Sequence, residues 1–276
     1  MSKLKFPIGK KFNLRKIDPA DTGKFERETE VSAQAEADLK RLYELHYQMY
    51  AEDKHALVVI LQGIDASGKD GTVRHLFRGT HPMGCIVHSF KTPSAEELSH
   101  DYLWRVHRAM PERGHIAIFN RSHYEEVAAV KVHPEYLDNQ KLPDDIRSDE
   151  NLFEKRYEQI NQFEKMLAQN GTVILKFFLH ISKEEQKERF IERLTEREKH
   201  WKFSAKDVAE RAYWEKYQDA FEQMIEATNT KHAPWYVIPA DEKWYRNYLI
   251  GKIVVDRMDD LKMTFPKLPP ETIKVI

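Results

Sequence analysis

The chain has a single cysteine, Cys85, in 276 residues. An intrachain disulfide is therefore excluded, and a lone thiol fits a reducing cytoplasm, the compartment expected here. No apolar run reaches the ~18 residues of a membrane-spanning helix, so no membrane partner is expected. The lysine-rich start (Lys3, Lys5, Lys10, Lys11, Arg15, Lys16) also lacks the apolar stretch of a secretory signal. Nor does one charge dominate: 44 basic residues meet 45 acidic ones, a formal net charge of −1. That balance disfavours nucleic acid as a partner. Internal repeats and low-complexity segments are missing too. What remains is 41% hydrophobic and 32% charged, and it suffices for one α/β core with an appendage.

The first informative stretch begins with Leu57-Val58-Val59-Ile60-Leu61, an unbroken branched apolar run expected as a strand buried on both faces of a parallel sheet. It stops at Gly63, and Gly63-Ile64-Asp65-Ala66-Ser67-Gly68-Lys69 has the Walker A spacing of Gly, four residues, Gly-Lys. A turn of small residues lets successive N–H groups converge on an anion. The candidates are Gly63, Ala66, Ser67, Gly68, Asp70, Gly71 and Thr72, and the helix that follows adds the positive end of its dipole. Lys69 can then reach the outer phosphates as a point charge. Two positions depart from the usual pattern. Asp70 stands where a Ser or Thr hydroxyl ordinarily holds Mg²⁺. Asp65 puts a carboxylate inside the cradle, where it repels an anion unless a divalent cation lies between them or it accepts a proton.

Around this stretch the spacing predicts a helix over 29–51 and strands over 85–90, 115–119, 172–179 and 235–238. Lys91 follows the second strand, at the carboxyl end where open α/β sheets bind ligands. Ser94 and Glu97 form a capping box, predicting a helix that carries Asp101, Trp104 and Arg105. The third strand ends in Asn120-Arg121-Ser122-His123-Tyr124-Glu125. Asn120 takes the place of a Walker B acid, and Arg121 can clamp phosphate oxygens with two parallel hydrogen bonds. For His123 and Tyr124 a structural role is the competing reading. Residues 133–150 are expected as a surface loop. A helix then buries Phe153, Tyr157, Ile160, Phe163 and Leu167 and stops at Asn170-Gly171. A second capping box, Ser182 with Glu185, opens a helix bearing Arg189, Arg193 and Arg197. The adjoining Glu188, Glu192 and Glu196 could explain those arginines by pairing along a solvated face. The basic turn Lys199-His200-Trp201-Lys202 and a second helix near Ser204 complete a pattern found in lids that close over phosphates and exclude water. Asp241 is expected to cap a last helix that turns Trp244, Tyr248 and Ile250 inward. The chain divides into an irregular arm (1–27), one domain (28–262, lid about 183–228) and a Pro-rich tail (263–276).

Taken together, the segment 63–71, Phe119-Asn120-Arg121-Ser122-His123-Tyr124-Glu125 and the lid segment Trp201-Lys202-Phe203-Ser204 resemble the polyphosphate kinase 2 family, from about residue 28 to 262. Residues 99–105 and 233–240 also look like family stretches. The resemblance implies an α/β, P-loop kinase-like parallel sheet of about five strands flanked by helices, with a helical lid, similar to thymidylate kinase. It implies transfer of phosphate between inorganic polyphosphate and adenine nucleotides (guanine being the alternative base), Mg²⁺ as cofactor (Mn²⁺ the alternative), and a homodimer or homotetramer. On this likeness Asp65 handles metal or proton, Lys69 and Arg121 clamp phosphate, and either Arg189 or Arg193 reaches polyphosphate from the lid; Lys91 and Lys202 are further phosphate-binding candidates. Asn120, His123, Tyr124 and Glu125 fall to the nucleotide side. Members restricted to diphosphates tend to carry Asp in place of Asn120 and Asn in place of Glu125, so this version looks like the subgroup accepting both AMP and ADP, class III. Two other readings stand beside it. An ATP-dependent small-molecule or nucleoside monophosphate kinase shares the loop and lid. A nucleotide-binding switch is opposed by Thr230-Lys231-His232-Ala233, which lacks the Asp of a guanine-reading motif.

Overall fold

The apolar run ahead of the glycine turn becomes the central strand of the molecule. In the computed structural model, which describes residues 13–268, the strands are β1 (Ala56–Gln62), β2 (Cys85–Ser89), β3 (Ile116–Asn120), β4 (Thr172–His180) and β5 (Trp235–Pro239). They form one sheet in the order β2-β3-β1-β4-β5, every pair parallel. All seven residues of β1 are buried, as a strand flanked by two others and covered on both faces must be. Each branched side chain so enclosed contributes about 1.5–3 kcal/mol.

The helices among the described residues are α1 (Ser32–Glu52), α2 (Lys69–Phe77), α3 (Trp104–Arg108), α4 (Ala129–Val132), α5 (Asp144–Arg147), α6 (Leu152–Gln169), α7 (Lys183–Thr195), α8 (Ala205–Glu210), α9 (Trp214–Thr228) and α10 (Lys243–Asp259), of which α2, α6 and α10 pack directly on the sheet. The second capping box forms as expected, Ser182 Oγ accepting from the Glu185 amide at 3.0 Å. Gly171 takes a left-handed φ of 88° where α6 must stop.

Several expectations are corrected. The Ser94–Glu97 box closes in both directions, at 2.7 and 3.2 Å, but opens only a 3-10 turn, Glu97–Ser99. His100 is extended, and Asp101 restarts the chain by accepting from the Leu103 amide at 2.9 Å, so α3 begins at Trp104. Residues 133–150 are not a plain loop: they hold the 3-10 helix Pro134–Gln140 and α5, with Leu137, Leu152 and Val130 in a small apolar cluster. Asp241 does not cap α10. Its carboxylate accepts from the Ser182 amide at 2.8 Å and ties the ends of β4 and β5 together. On α10 the inward positions are Tyr245, Arg246, Leu249 and Ile250, while Trp244 and Tyr248 are only partly buried.

The arm is irregular where described, yet anchored. Leu14 is fully buried and its amide donates to Glu222 of α9 at 2.7 Å, while Arg15 pairs with Glu215 and Asp219. Residues 1–12 of the arm and 269–276 of the tail lie outside the described residues. One position inside the sheet departs from its pattern. Lys176, mid-β4, is fully buried, its ammonium donating to Tyr124, Glu164 and the Thr228 carbonyl, each at 2.7 Å.

Candidate active site

The turn between β1 and α2 is shaped by what cannot fit in it. A side-chain carbon on Gly63 would meet the Leu179 carbonyl oxygen at 2.7 Å, and Gly68 holds a φ of 100° at the N-cap of α2. Ala66 is left-handed as well, φ 64°, a conformation that costs a non-glycine residue about 1–3 kcal/mol and persists where surroundings enforce it. The result is a cradle whose backbone turns back beneath Lys69. That side chain is buried, and its ammonium donates to the carbonyls of Gly63 and Ile64 at 2.6 and 3.0 Å and to Ser67 Oγ at 3.4 Å.

Burial first, and then Arg121, lower the Lys69 ammonium from its ordinary 10.5 to about 8. A phosphate bound beside it would restore the proton, so binding above about pH 8 takes up a proton and weakens as pH rises. Calorimetric titration with tripolyphosphate should show affinity falling steadily above about pH 8, with proton uptake in buffers of different ionisation enthalpy. Equal affinity on both sides of pH 8 would contradict it. The sign for stability is opposite: the unfolded chain binds more protons between the two values, so this group's contribution improves with pH across that window.

At the end of β3 the chain reverses through Arg121, left-handed at φ 65°. Ser122 then caps a 3-10 turn, His123–Glu126, by accepting from the Tyr124 amide at 3.2 Å. The turn sorts the polar cluster. Arg121 comes forward, donating to the Asp65 carboxylate and, at 3.1 Å, to Glu125, which also accepts from Gln62 at 3.1 Å. Glu125, with Asp65 after it, keeps the guanidinium charged against its burial. Asn120 donates to Asp70 at 2.8 Å. Burial pushes the Asp70 carboxyl up, but Asn120 and Lys202 outweigh it and hold it below its ordinary value.

His123 and Tyr124 go the other way, and the expectation that they face a nucleotide is corrected. Both are 1% exposed or less; Tyr124 donates to Glu164 at 2.7 Å, and His123 lies 3.6 Å from the same carboxylate. Gly63 and Thr72 are likewise buried under the cradle rather than open to its mouth. Arg189 is no free lid cation either. It is buried, pairs with Glu185 at 2.7 Å, and donates to the carbonyls of Ala66, Ala240 and Asp241, so it braces the loop backbone. Arg197 is exposed but lies beyond the end of α7, in the 3-10 helix Arg197–Lys202, and it is Lys199 that pairs with Glu192 and Glu196, at 2.8 and 2.7 Å.

The lid reaches the loop through its basic turn. Arg193 holds that turn by donating to the Lys202 carbonyl at 3.2 Å and to Asp207 at 3.1 Å, and Lys202 lies 3.4 Å from Asp70. Between lid, loop and β3 opens a cleft of about 1000 Å³ lined by eleven Lys or Arg side chains and four Asp or Glu. Lys91 lines it, exposed. Sequence reasoning missed Arg74 on α2, Arg78 at its C-cap, and Lys243 and Arg246 on α10, which also line it. Four-residue spacing was the available signal for the first two. For Arg246 it was a charge on the apolar stripe of its helix.

The comparisons with known proteins converge on this arrangement. Residues 25–266 match the family model described as polyphosphate kinase 2. The chain belongs to the polyphosphate kinase 2 family. It is 46% identical over 273 residues to the AMP/ADP-polyphosphate phosphotransferase of Meiothermus ruber, covering 99% of this chain and 97% of that one. It is 47% identical over 232 residues to the ADP-polyphosphate phosphotransferase of Rhodopseudomonas palustris, covering 84% and 80%. The crystal structure of polyphosphate kinase 2 from Arthrobacter aurescens superimposes with a TM-score of 0.89 at 37% identity, over 99% of this chain and 94% of that one. Among the described residues no helix is long and apolar enough to cross a membrane.

Proposed function

We propose that this polyphosphate kinase 2 moves the terminal phosphoryl group of inorganic polyphosphate onto AMP and ADP, reversibly, giving ADP and ATP. The observation that carries the reading is an acid inside a phosphate cradle, Asp65, held by Arg121 at the edge of a cleft in which cations outnumber acids eleven to four. Such a cleft suits a long polyanion better than a single nucleotide. The names of the relatives supply the substrate class, and they differ on whether AMP is included.

In this reading the end of the polyphosphate chain lies in the cradle at Lys69, Gly68 and the first turn of α2. Arg121 leaves its pairing with Asp65 to span the transferred group. The acceptor's terminal phosphate oxygen attacks in line, and the bond to the penultimate phosphate breaks, leaving the chain one unit shorter. The protein contributes position and charge neutralisation rather than covalent chemistry. No group of three His, Cys, Asp or Glu side chains among the described residues could hold a metal ion. Asp65, facing the cleft, with the exposed Asp70 and the Asn120 amide beside it, would nevertheless suit Mg²⁺, Mn²⁺ being the alternative. The ion, when bound, supplies neutralisation of phosphate charge. Glu125 positions Arg121, and Asn120 and Glu125 together favour acceptance of both AMP and ADP, as in class III. Assembly as a homodimer or homotetramer is supported by exposed apolar side chains on α1 and the edge strand β2, among them Tyr43, Tyr47, Tyr50 and Ile86.

Product analysis of the purified protein with Mg²⁺ and long-chain polyphosphate, offered AMP and ADP separately, tests this. ADP and ATP are expected from AMP, and ATP from ADP. Product from ADP alone would refute the subgroup. Product from neither, with turnover from ATP onto another acceptor, would replace the reading with an ordinary kinase.

A further inference from the structure

The last long helix carries a charge that its own surroundings do not balance. Arg246 on α10 is 3% exposed, and its guanidinium lies against the phosphate loop. A side-chain carbon on Gly68 would meet its Nη1 at 1.9 Å, and one on Gly71 its Nη2 at 3.2 Å, so the group fills the space that those two glycines leave open. Its hydrogen-bond partner among the described residues is Asn247 Oδ1, reached from Nε at 3.2 Å and Nη2 at 3.0 Å. No carboxylate among the described residues forms an ion pair with it.

The neighbours make the imbalance worse. Arg189 brings its own Nη1 to 3.4 Å from the same point on Gly68. Arg189 is balanced by Glu185, at 2.7 Å, whereas Arg246 has no such counterpart among the described residues. Both approach the N-terminal turn of α2, where unsatisfied N–H groups and the helix dipole already present positive potential. Burial, and then Arg189, lower the Arg246 guanidinium to about 9. A buried cation beside a second cation on a positive helix end is strongly unfavourable in an empty protein. It becomes favourable when an anion enters, because one phosphate then satisfies the guanidinium, the helix amides and the field of Arg189 together.

We infer that Arg246 is a binding residue for the polyphosphate chain, taking a phosphate behind the one transferred, at the Gly68–Gly71 side of the loop. The inference rests on the polyphosphate reading above and names a contact within it. The cleft continues past this point between α2 and α10, lined by Arg74, Arg78 and Lys243, so the donor chain has cations along its path. A nucleotide phosphate tail offers the same chemistry, and the kinetic arms of the test separate the two sources.

Arg246→Met and Arg246→Lys are compared with the wild type in two measurements. Steady-state kinetics should show the KM for polyphosphate raised about tenfold or more in Arg246→Met, the loss of one charge-assisted contact, while the KM for ADP stays within about twofold. Arg246→Lys should recover part of that loss, keeping charge but not the fork. The second measurement is thermal unfolding with and without tripolyphosphate. Arg246→Met should unfold no lower than wild type when empty, since it sheds an unbalanced buried charge, and should lose most of the stabilisation that tripolyphosphate gives the wild type. An empty variant that melts well below wild type would make Arg246 a structural brace and overturn the assignment. So would a raised KM for ADP with polyphosphate unchanged, which would hand the contact to the nucleotide. A wild type indifferent to polyphosphate in both measurements would remove the parent reading. A responsive wild type beside an equally responsive Arg246→Met would remove this contact alone.

Discussion

Asp65→Asn is expected to lower kcat about 10³-fold or more while leaving polyphosphate affinity unchanged or tighter. The two halves of that expectation come from one feature. A carboxylate in a phosphate cradle repels the bound chain, and the free protein offsets its charge with Arg121. The isosteric amide removes the repulsion, so binding is spared. What is lost, on the proposed reading, is the group that would hold Mg²⁺ or accept a proton at the reacting phosphate. The fold should survive within roughly 1 kcal/mol, because the pair is partly exposed and Arg121 keeps Glu125 at 3.1 Å. Turnover and tripolyphosphate binding, measured on the same preparation, check this. Ordinary turnover would remove Asp65 from the mechanism, and lost binding with it would make the residue a scaffold for the loop.

The largest effect on stability is expected inside the sheet. Lys176→Met leaves Glu164 buried at 1% exposure without its cation, and leaves the Thr228 carbonyl without that donor. Breaking one side of a buried pair costs about 3–5 kcal/mol, a fall in melting temperature of roughly 10 °C for a chain of this size. Replacing both partners, Lys176→Met with Glu164→Leu, should recover most of it, because the pair's own net worth is small once neither charge must be hidden. A double variant as unstable as the single one would mean that Tyr124, which binds both groups, depends on them for its place. Thermal unfolding of the three proteins decides between these outcomes.

Much of the scaffold was legible because its causes are local. Branched apolar runs marked all five strands to within a residue or two, and the glycine spacing marked the loop before any contact was known. The end of β3 shows where locality fails. Asn120 and Arg121 face the cleft, while His123 and Tyr124 face the core. The switch is made by a left-handed residue and a 3-10 turn that a period-two reading cannot foresee. The partners that claim Tyr124 lie 40 and 52 residues away, on α6 and β4. The lid pattern and the family likeness point Arg189 toward phosphate, but its acceptors are carbonyls brought in by the ends of β1 and β5, invisible in the spacing. Ser94 and Glu97 made their reciprocal bonds and still yielded one turn, since a cap starts a helix but does not sustain it.

Lys69 bonds to the carbonyls of its own loop, and Asp65 bonds to Arg121. These internal contacts occupy the same groups that a phosphate would use. An entering anion competes with these internal contacts, and a single charge replaces fewer of them than several do. A chain of linked phosphates meets several cations at once, each contact made at the raised effective concentration set by the one before. That competition therefore selects by the number of charges a ligand carries in a row, and it does so before any catalytic group is engaged.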